Sequence, residues 1–140
     1  MSLNAKDLTV GQTFQQRLVD GLTRTQIVQY AGASGDYNPL HTDEVFTTQV
    51  ARYPSVFAHG MLTMGMTGKM LTDLVGDGRL TKYGVRFTSQ VWPGDTLDAE
   101  ATVKRVFEED GEARVELDVV TRNQKGVEVV RGYAEARIDG

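Results

Sequence analysis

The sequence predicts an α+β fold in which an antiparallel sheet wraps one long buried helix. Three observations predict it. The segment Gly60 to Val75 is apolar almost all round, the chain after it alternates apolar and polar residues at period two, and turn signals divide that alternation into hairpins. A helix with apolar residues on most sides is covered by other elements. Strands with a two-residue repeat present one face to cover it with.

The elements follow in order. Phe14 to Val19 reads as an opening strand. Thr23-Arg24-Thr25-Gln26 has the form of a capping box, in which Thr23 accepts from the third helical amide and Gln26 reaches back. It predicts a helix from Arg24 to Ala33 with Ile27, Val28, Tyr30 and Ala31 on its apolar face. Gly32 to Pro39 stops this helix, because glycine and the residue before proline both disfavour continuation. Thr42 is expected to cap a second short helix, with Asp43 and Glu44 in its first turn, where the helix dipole favours anions. Pro54-Ser55 breaks the chain again.

Within the long helix, Met61, Leu62, Met64, Met66, Met70, Leu71, Leu74 and Val75 supply the apolar surface. Gly65 and Gly68 cost about 1 kcal/mol each relative to Ala but let another backbone approach. Gly76-Asp77-Gly78 ends the helix. Tyr83, Val85, Phe87, Ser89 and Val91 are expected on one face of the next strand. Trp92-Pro93-Gly94-Asp95 then turns the chain into Thr96 to Phe107. Asp110-Gly111 is a hairpin signal, and Ala113, Val115, Leu117 and Val119 alternate after it. Asn123 to Gly126 turns into Val127 to Ile138.

The 140 residues suit one domain, 1–140, with no linker visible. That length buries roughly two-thirds of its unfolded surface, enough for a core without staples. There is no cysteine, so disulfides and thiolate metal sites are excluded together. Fifteen basic and nineteen acidic residues are interspersed, for a net charge of −4. No basic block appears, which argues against nucleic acid. The start of the chain lacks the apolar run of a signal peptide, and Met61 to Val75 is too short and interrupted to span a bilayer. The expectation is a cytoplasmic protein with no membrane partner.

Only two histidines are present, His41 and His59, so any imidazole chemistry uses one of them. His41 follows Asp36 by five residues across an Asn-Pro loop, and His59 precedes Gly60 at the start of the long helix. A lone aspartate in such a turn is usually a local acceptor, and a lone histidine near a helix start is usually structural. Two histidines without cysteine give no metal-ligand spacing. Gly60 to Lys69 lacks the Gly-Lys-Ser/Thr of a phosphate loop, since Met70 follows Lys69. The methionines at 61, 64, 66 and 70 suit a core rather than a cofactor box. Neither a metal nor a cofactor is expected. Arg79, Lys82, Arg86 and Arg131 read as solvated strand-edge charges.

Together, Gly35-Asp36-Tyr37-Asn38-Pro39-Leu40-His41 and Ala58-His59-Gly60-Met61-Leu62 resemble the signature of the MaoC-like, (R)-specific enoyl-thioester hydratases, the hydratase-2 group. The resemblance covers essentially the whole chain. It implies a hot-dog fold and a hydro-lyase acting on trans-2-enoyl or (R)-3-hydroxyacyl thioesters of CoA or acyl carrier protein. It further implies that Asp36 and His41 form the catalytic pair, that Asn38 and His59 support the loop and the site, and that His59-Gly60 opens the central helix. One stretch departs from the pattern. Val45, Phe46, Thr47, Val50 and Ala51 stand where many relatives carry a small residue and a glycine.

The chemistry accounts for these residue types. Hydration of an enoyl thioester needs a proton taken from water, a proton given to C2, and stabilised charge on the thioester oxygen. An imidazole of ordinary pKa, about 6.5, accepts a proton at neutral pH, whereas an ordinary aspartate near 3.9 mostly does not. This makes His41 the expected base and Asp36 the group that orients water and helps deliver the C2 proton. Unpaired amides at the Gly60 helix start suit the oxyanion. The alternative activity is a hot-dog thioesterase, which does not need the histidine; a silent acyl-binding subunit is a third reading. A sheet wrapped on one helix leaves an open edge. A homodimer, or a heterodimer with a paralogous hot-dog subunit, is therefore expected.

Overall fold

A computed structural model describes residues 3–140. Five antiparallel strands form one sheet in the order β1-β3-β4-β5-β2: β1 Thr13–Val19, β2 Leu80–Phe87, β3 Leu97–Glu109, β4 Glu112–Arg122 and β5 Glu128–Arg137. The meander β3-β4-β5 makes its centre, and the two strands that arrive from the helical half of the chain, β1 and β2, take the edges. Helix α1 spans Arg24–Ser34, the single turn α2 spans Pro39–Thr42, and α3 spans Gly60–Val75. The sheet curls around α3, which is the expected hot-dog arrangement.

The core lies between α3 and the sheet. Met70, Leu71 and Val75 of the helix are buried with Ala99, Ala101 and Val103 of β3, Val115, Leu117 and Val119 of β4, and Ala134 and Ala136 of β5. Alternation in each strand produces this face, and small alanines opposite the helix let it sit close. The buried Thr67 and Thr121 hydroxyls satisfy each other at 2.7 Å, joining α3 to β4. A second cluster packs Ile27 of α1 with Leu22, Ala58, Val91, Leu97 and Val129.

Several turns form as their residues dictate. The capping box is complete, with Thr23 Oγ1 accepting from the Gln26 amide at 3.0 Å and the Gln26 side chain accepting from the Thr23 amide at 2.9 Å. Asp110 and Gly111 both take positive φ, 54° and 77°, the left-handed pair that a two-residue hairpin demands.

The structure corrects other expectations. Thr42 ends α2 instead of capping the following helix. That role falls to Asp43, whose carboxylate accepts from the Phe46 amide at 3.0 Å at the head of the π-helical turn Phe46–Val50. Glu44, the first residue of the helix that Asp43 caps, pairs with Arg24 of α1 and also accepts from the Val56 amide at 3.3 Å, so it ties α1 to the segment before α3. Helix α3 is not covered all round: Met61 is 53% exposed, and its buried stripe includes Thr63 and Thr67. Gly68 does allow a close approach, by the Tyr83 ring, but no described residue outside the helix would come within 4 Å of a Cβ at Gly65. Strand β2 stops at Phe87, and Ser89 is exposed. On α1 only Ile27 and Ala31 are buried, while Val28 faces solvent.

Tyr83 fixes β2 to the helix. Its hydroxyl donates to the Met64 carbonyl at 2.7 Å. Burial pushes its phenol up to about 12, partly offset by Thr67. An unfolded phenol ionises near 10. The stabilisation is therefore complete below about pH 10 and lost as pH rises towards about 12, because only the unfolded chain ionises freely in that window. Tyr83→Phe should lower stability by about 1 kcal/mol at neutral pH through the lost hydrogen bond. It should also flatten the alkaline decline, read as urea midpoints at neutral pH and inside the window. Parallel pH profiles for the two proteins would contradict this.

Candidate active site

The loop between α1 and α2 is built by short-range hydrogen bonds. Gly35 closes α1 in the left-handed region, φ 76°, with its amide donating to the Ala31 carbonyl at 2.9 Å. The Asp36 amide donates to Ser34 Oγ at 3.2 Å, and Asp36 Oδ1 accepts from the Asn38 amide at 3.3 Å. Asn38 then caps α2, its Oδ1 accepting from the Leu40 amide at 3.0 Å. Pro39 at the first helical position needs no donor. This puts His41 in the last turn of α2, turned toward the segment that precedes α3.

That segment holds the imidazole. The Phe57 amide donates to the Leu40 carbonyl at 3.2 Å, and the Phe57 carbonyl lies 2.7 Å from His41 Nδ1. A carbonyl only accepts, so Nδ1 carries the hydrogen and Nε2 is the nitrogen able to take a proton. His59 is 2% exposed and stacks on His41, with ring centroids 3.8 Å apart and planes 24° off parallel. Its Nε2 donates to the Asp36 backbone carbonyl at 3.0 Å, and Tyr30 meets its ring edge-on. His59 thus ties the start of α3 to the aspartate loop while backing His41. Sequence reading assigned it loop support, but stacking across 18 residues left no local signal.

A carboxylate oxygen of Asp36 and one ring nitrogen each from His41 and His59 lie within 4.8 Å of one another. Spacing along the sequence shows no metal motif, yet folding gathers these three donors. Their layout does not suit an ion. Two stacked imidazoles direct their in-plane lone pairs side by side, and His41 Nδ1 and His59 Nε2 are already engaged with carbonyls. Zinc-type ligation needs donors converging at about 2.0–2.2 Å.

Beside the pair is a cavity of about 310 Å³. His41, Phe57, Ala58, Gly60 and Thr63 form one wall, and Phe87 to Val91 with Val129 and Val130 form the other. Asp36 is exposed and is not among the residues that line it, although its carboxylate lies within 4.8 Å of a ring nitrogen of His41 and of His59. None of the departing residues Val45, Phe46, Thr47, Val50 and Ala51 lines the cavity, and Val45 and Val50 face solvent. The Gly60 amide opens α3 with no partner among the described residues. A Cβ at Gly60 would sit 3.1 Å from the Phe87 ring, tighter than ordinary contact, so glycine lets the end of β2 lie against the helix start.

The fold and this loop match a known domain: residues 5–125 match the model of the MaoC like domain. The chain belongs to the MaoC-like domain family. Among its relatives is 3-hydroxyacyl-thioester dehydratase Y of Mycobacterium tuberculosis, 40% identical over 82 residues, which are 56% of this chain and 28% of that protein. Enoyl-CoA hydratase ChsH3 of the same organism is 42% identical over 66 residues, 45% of this chain and 23% of that protein. The chain thus matches about a quarter of the length of these curated relatives. The solved structure of R-hydratase PhaJ1 from Pseudomonas aeruginosa, unliganded, superposes with a TM-score of 0.85 at 28% identity, covering 99% of this MaoC-like chain and 86% of that one. No helix among the described residues is long and apolar enough to cross a membrane.

Proposed function

We propose that this MaoC-like domain is a hydro-lyase that hydrates trans-2-enoyl thioesters, and in reverse dehydrates (R)-3-hydroxyacyl thioesters, of CoA or acyl carrier protein. The observation that carries the reading is the approach of the Asp36 carboxylate to within 4.8 Å of the His41 ring, beside a cavity shared by His41 and Gly60. One water about 2.8 Å from each group spans a gap of that size. His41 Nε2 takes a proton from this water as its oxygen bonds to C3. The C2–C3 π electrons move toward the carbonyl, and the Gly60 amide receives the charge that develops on the thioester oxygen. The proton that His41 took from the water is then passed through Asp36 to C2, so that H and OH have both been added and the two side chains return to their starting states. The names of the relatives, dehydratase and hydratase, agree with this reaction class.

The active unit is a dimer, with a second copy or with a paralogous hot-dog subunit. Strand β2 ends the sheet with its outer edge unpaired among the described residues, and Phe87 in the cavity wall and Met61 next to Gly60 are 49% and 53% exposed. A solved complex of ChsH1 with ChsH2 shares the fold, with a TM-score of 0.77. A monomeric mass in solution would overturn this part.

The test is direct. Purified protein given crotonyl-CoA or a longer enoyl-CoA should bleach the conjugated enoyl absorbance without releasing free thiol. Thiol release would instead establish a thioesterase. No change with any chain length or carrier would leave a silent subunit.

A further inference from the structure

Thr63 is the one buried threonine whose hydroxyl nothing satisfies among the described residues. It is 1% exposed, and its Oγ1 has no hydrogen-bond partner. The other buried threonines are all met. Thr47 Oγ1 donates to backbone carbonyls of Pro39 and Asp43, and Thr67 pairs with Thr121. An acceptor stands four residues back in His59 Nδ1, which is itself buried and unpartnered, yet the two do not bond. A helical threonine ordinarily bonds back to a carbonyl of the preceding turn, and Thr63 makes no such bond. Instead it lines the cavity together with His41 and Gly60.

Resting on the hydratase reading above, we propose that the Thr63 hydroxyl is a second donor to the thioester carbonyl oxygen, beside the Gly60 amide. Residues i and i+3 share a helix face, about 5–6 Å apart. One oxygen about 2.9 Å from each donor fits between positions so spaced. The acyl thioester is thereby gripped by the first turn of α3, with its C3 end toward His41. Water addition at C3 pushes electrons onto that oxygen, so the Thr63 bond strengthens as the reaction proceeds. Its effect then falls on kcat rather than KM. A hydroxyl retained for substrate alone contributes nothing to the fold, so exchanging it for an isosteric methyl should not destabilise the protein.

The experiment compares wild type, Thr63→Val and Thr63→Ser in enoyl-CoA hydration and in thermal unfolding without substrate. Thr63→Val should lose about 10²-fold in kcat with little change in KM, while its Tm is unchanged or higher. Thr63→Ser should recover most of the rate. A Thr63→Val enzyme with wild-type kcat would overturn the proposal and leave the hydratase reading standing, as would a rise in KM alone. A fall in Tm, or failure to fold, would mean that the hydroxyl has an internal partner, and would also overturn it. A wild type inert toward every enoyl thioester removes the hydratase reading and this proposal together.

Discussion

Asp36→Asn and His41→Asn should each lower enoyl-thioester turnover by at least about 10²-fold, the scale of lost general acid–base catalysis. These replacements keep the scaffold. An amide oxygen at position 36 can still accept from the Asn38 amide, and an amide nitrogen at position 41 can still donate to the Phe57 carbonyl, where Nδ1 does so at 2.7 Å. What disappears is the carboxylate in one case and the second ring nitrogen in the other. Folding should therefore be nearly unaffected, and circular dichroism with thermal unfolding checks that. Because both groups act on one water, the double variant should be little slower than the worse single one. Near-normal rates in either single variant would remove the proposed pair. Multiplicative losses in the double variant would mean that the two groups act on separate steps.

The largest effect on stability is expected at a glycine far from this chemistry. A Cβ on Gly132 of β5 would lie 1.9 Å from the Gly84 carbonyl oxygen and 2.8 Å from the Val85 Cα of β2. Both obstacles are backbone, so one strand must move. Gly132→Ala should cost about 3 kcal/mol or more, the upper range for overpacking. Gly84→Ala is the control. Its Cβ would meet the Tyr133 ring at 2.8–2.9 Å, and that half-exposed side chain can swing away. Urea unfolding should rank the two variants far apart. If Gly132→Ala were as stable as Gly84→Ala, β2 would be free to shift in its register. Since β2 carries Phe87 over Gly60, the Gly132 variant should lose hydration activity along with stability.

The balance between local and long-range information explains which parts of this molecule were legible before folding. The capping box at Thr23, the Asp110-Gly111 hairpin and the meander were readable because each depends on residues within a few positions of one another. The error at Thr42 has the same origin. Two candidate caps lie side by side at Thr42 and Asp43, and the choice fell to whichever side chain met the Phe46 amide once α2 had closed. Burial of α3 was overstated because composition counts apolar residues without saying how many neighbours arrive. One sheet reaches Thr63, Thr67, Met70, Leu71 and Val75 and leaves Met61 outside.

By itself the sequence determined the α+β class, the strand order within the meander, the long helix and the two segments that bear Asp36, His41 and His59-Gly60, all through periodicity and short-range hydrogen bonding. Only the tertiary structure decided that His59 stacks on His41 and holds the Asp36 carbonyl, that Phe57 sets the tautomer of His41, and that Thr63 is buried without a partner in the cavity wall. Those are relations between residues 16 to 23 positions apart or set by packing. Side-chain geometry at van der Waals distance arises only after the chain has closed on itself.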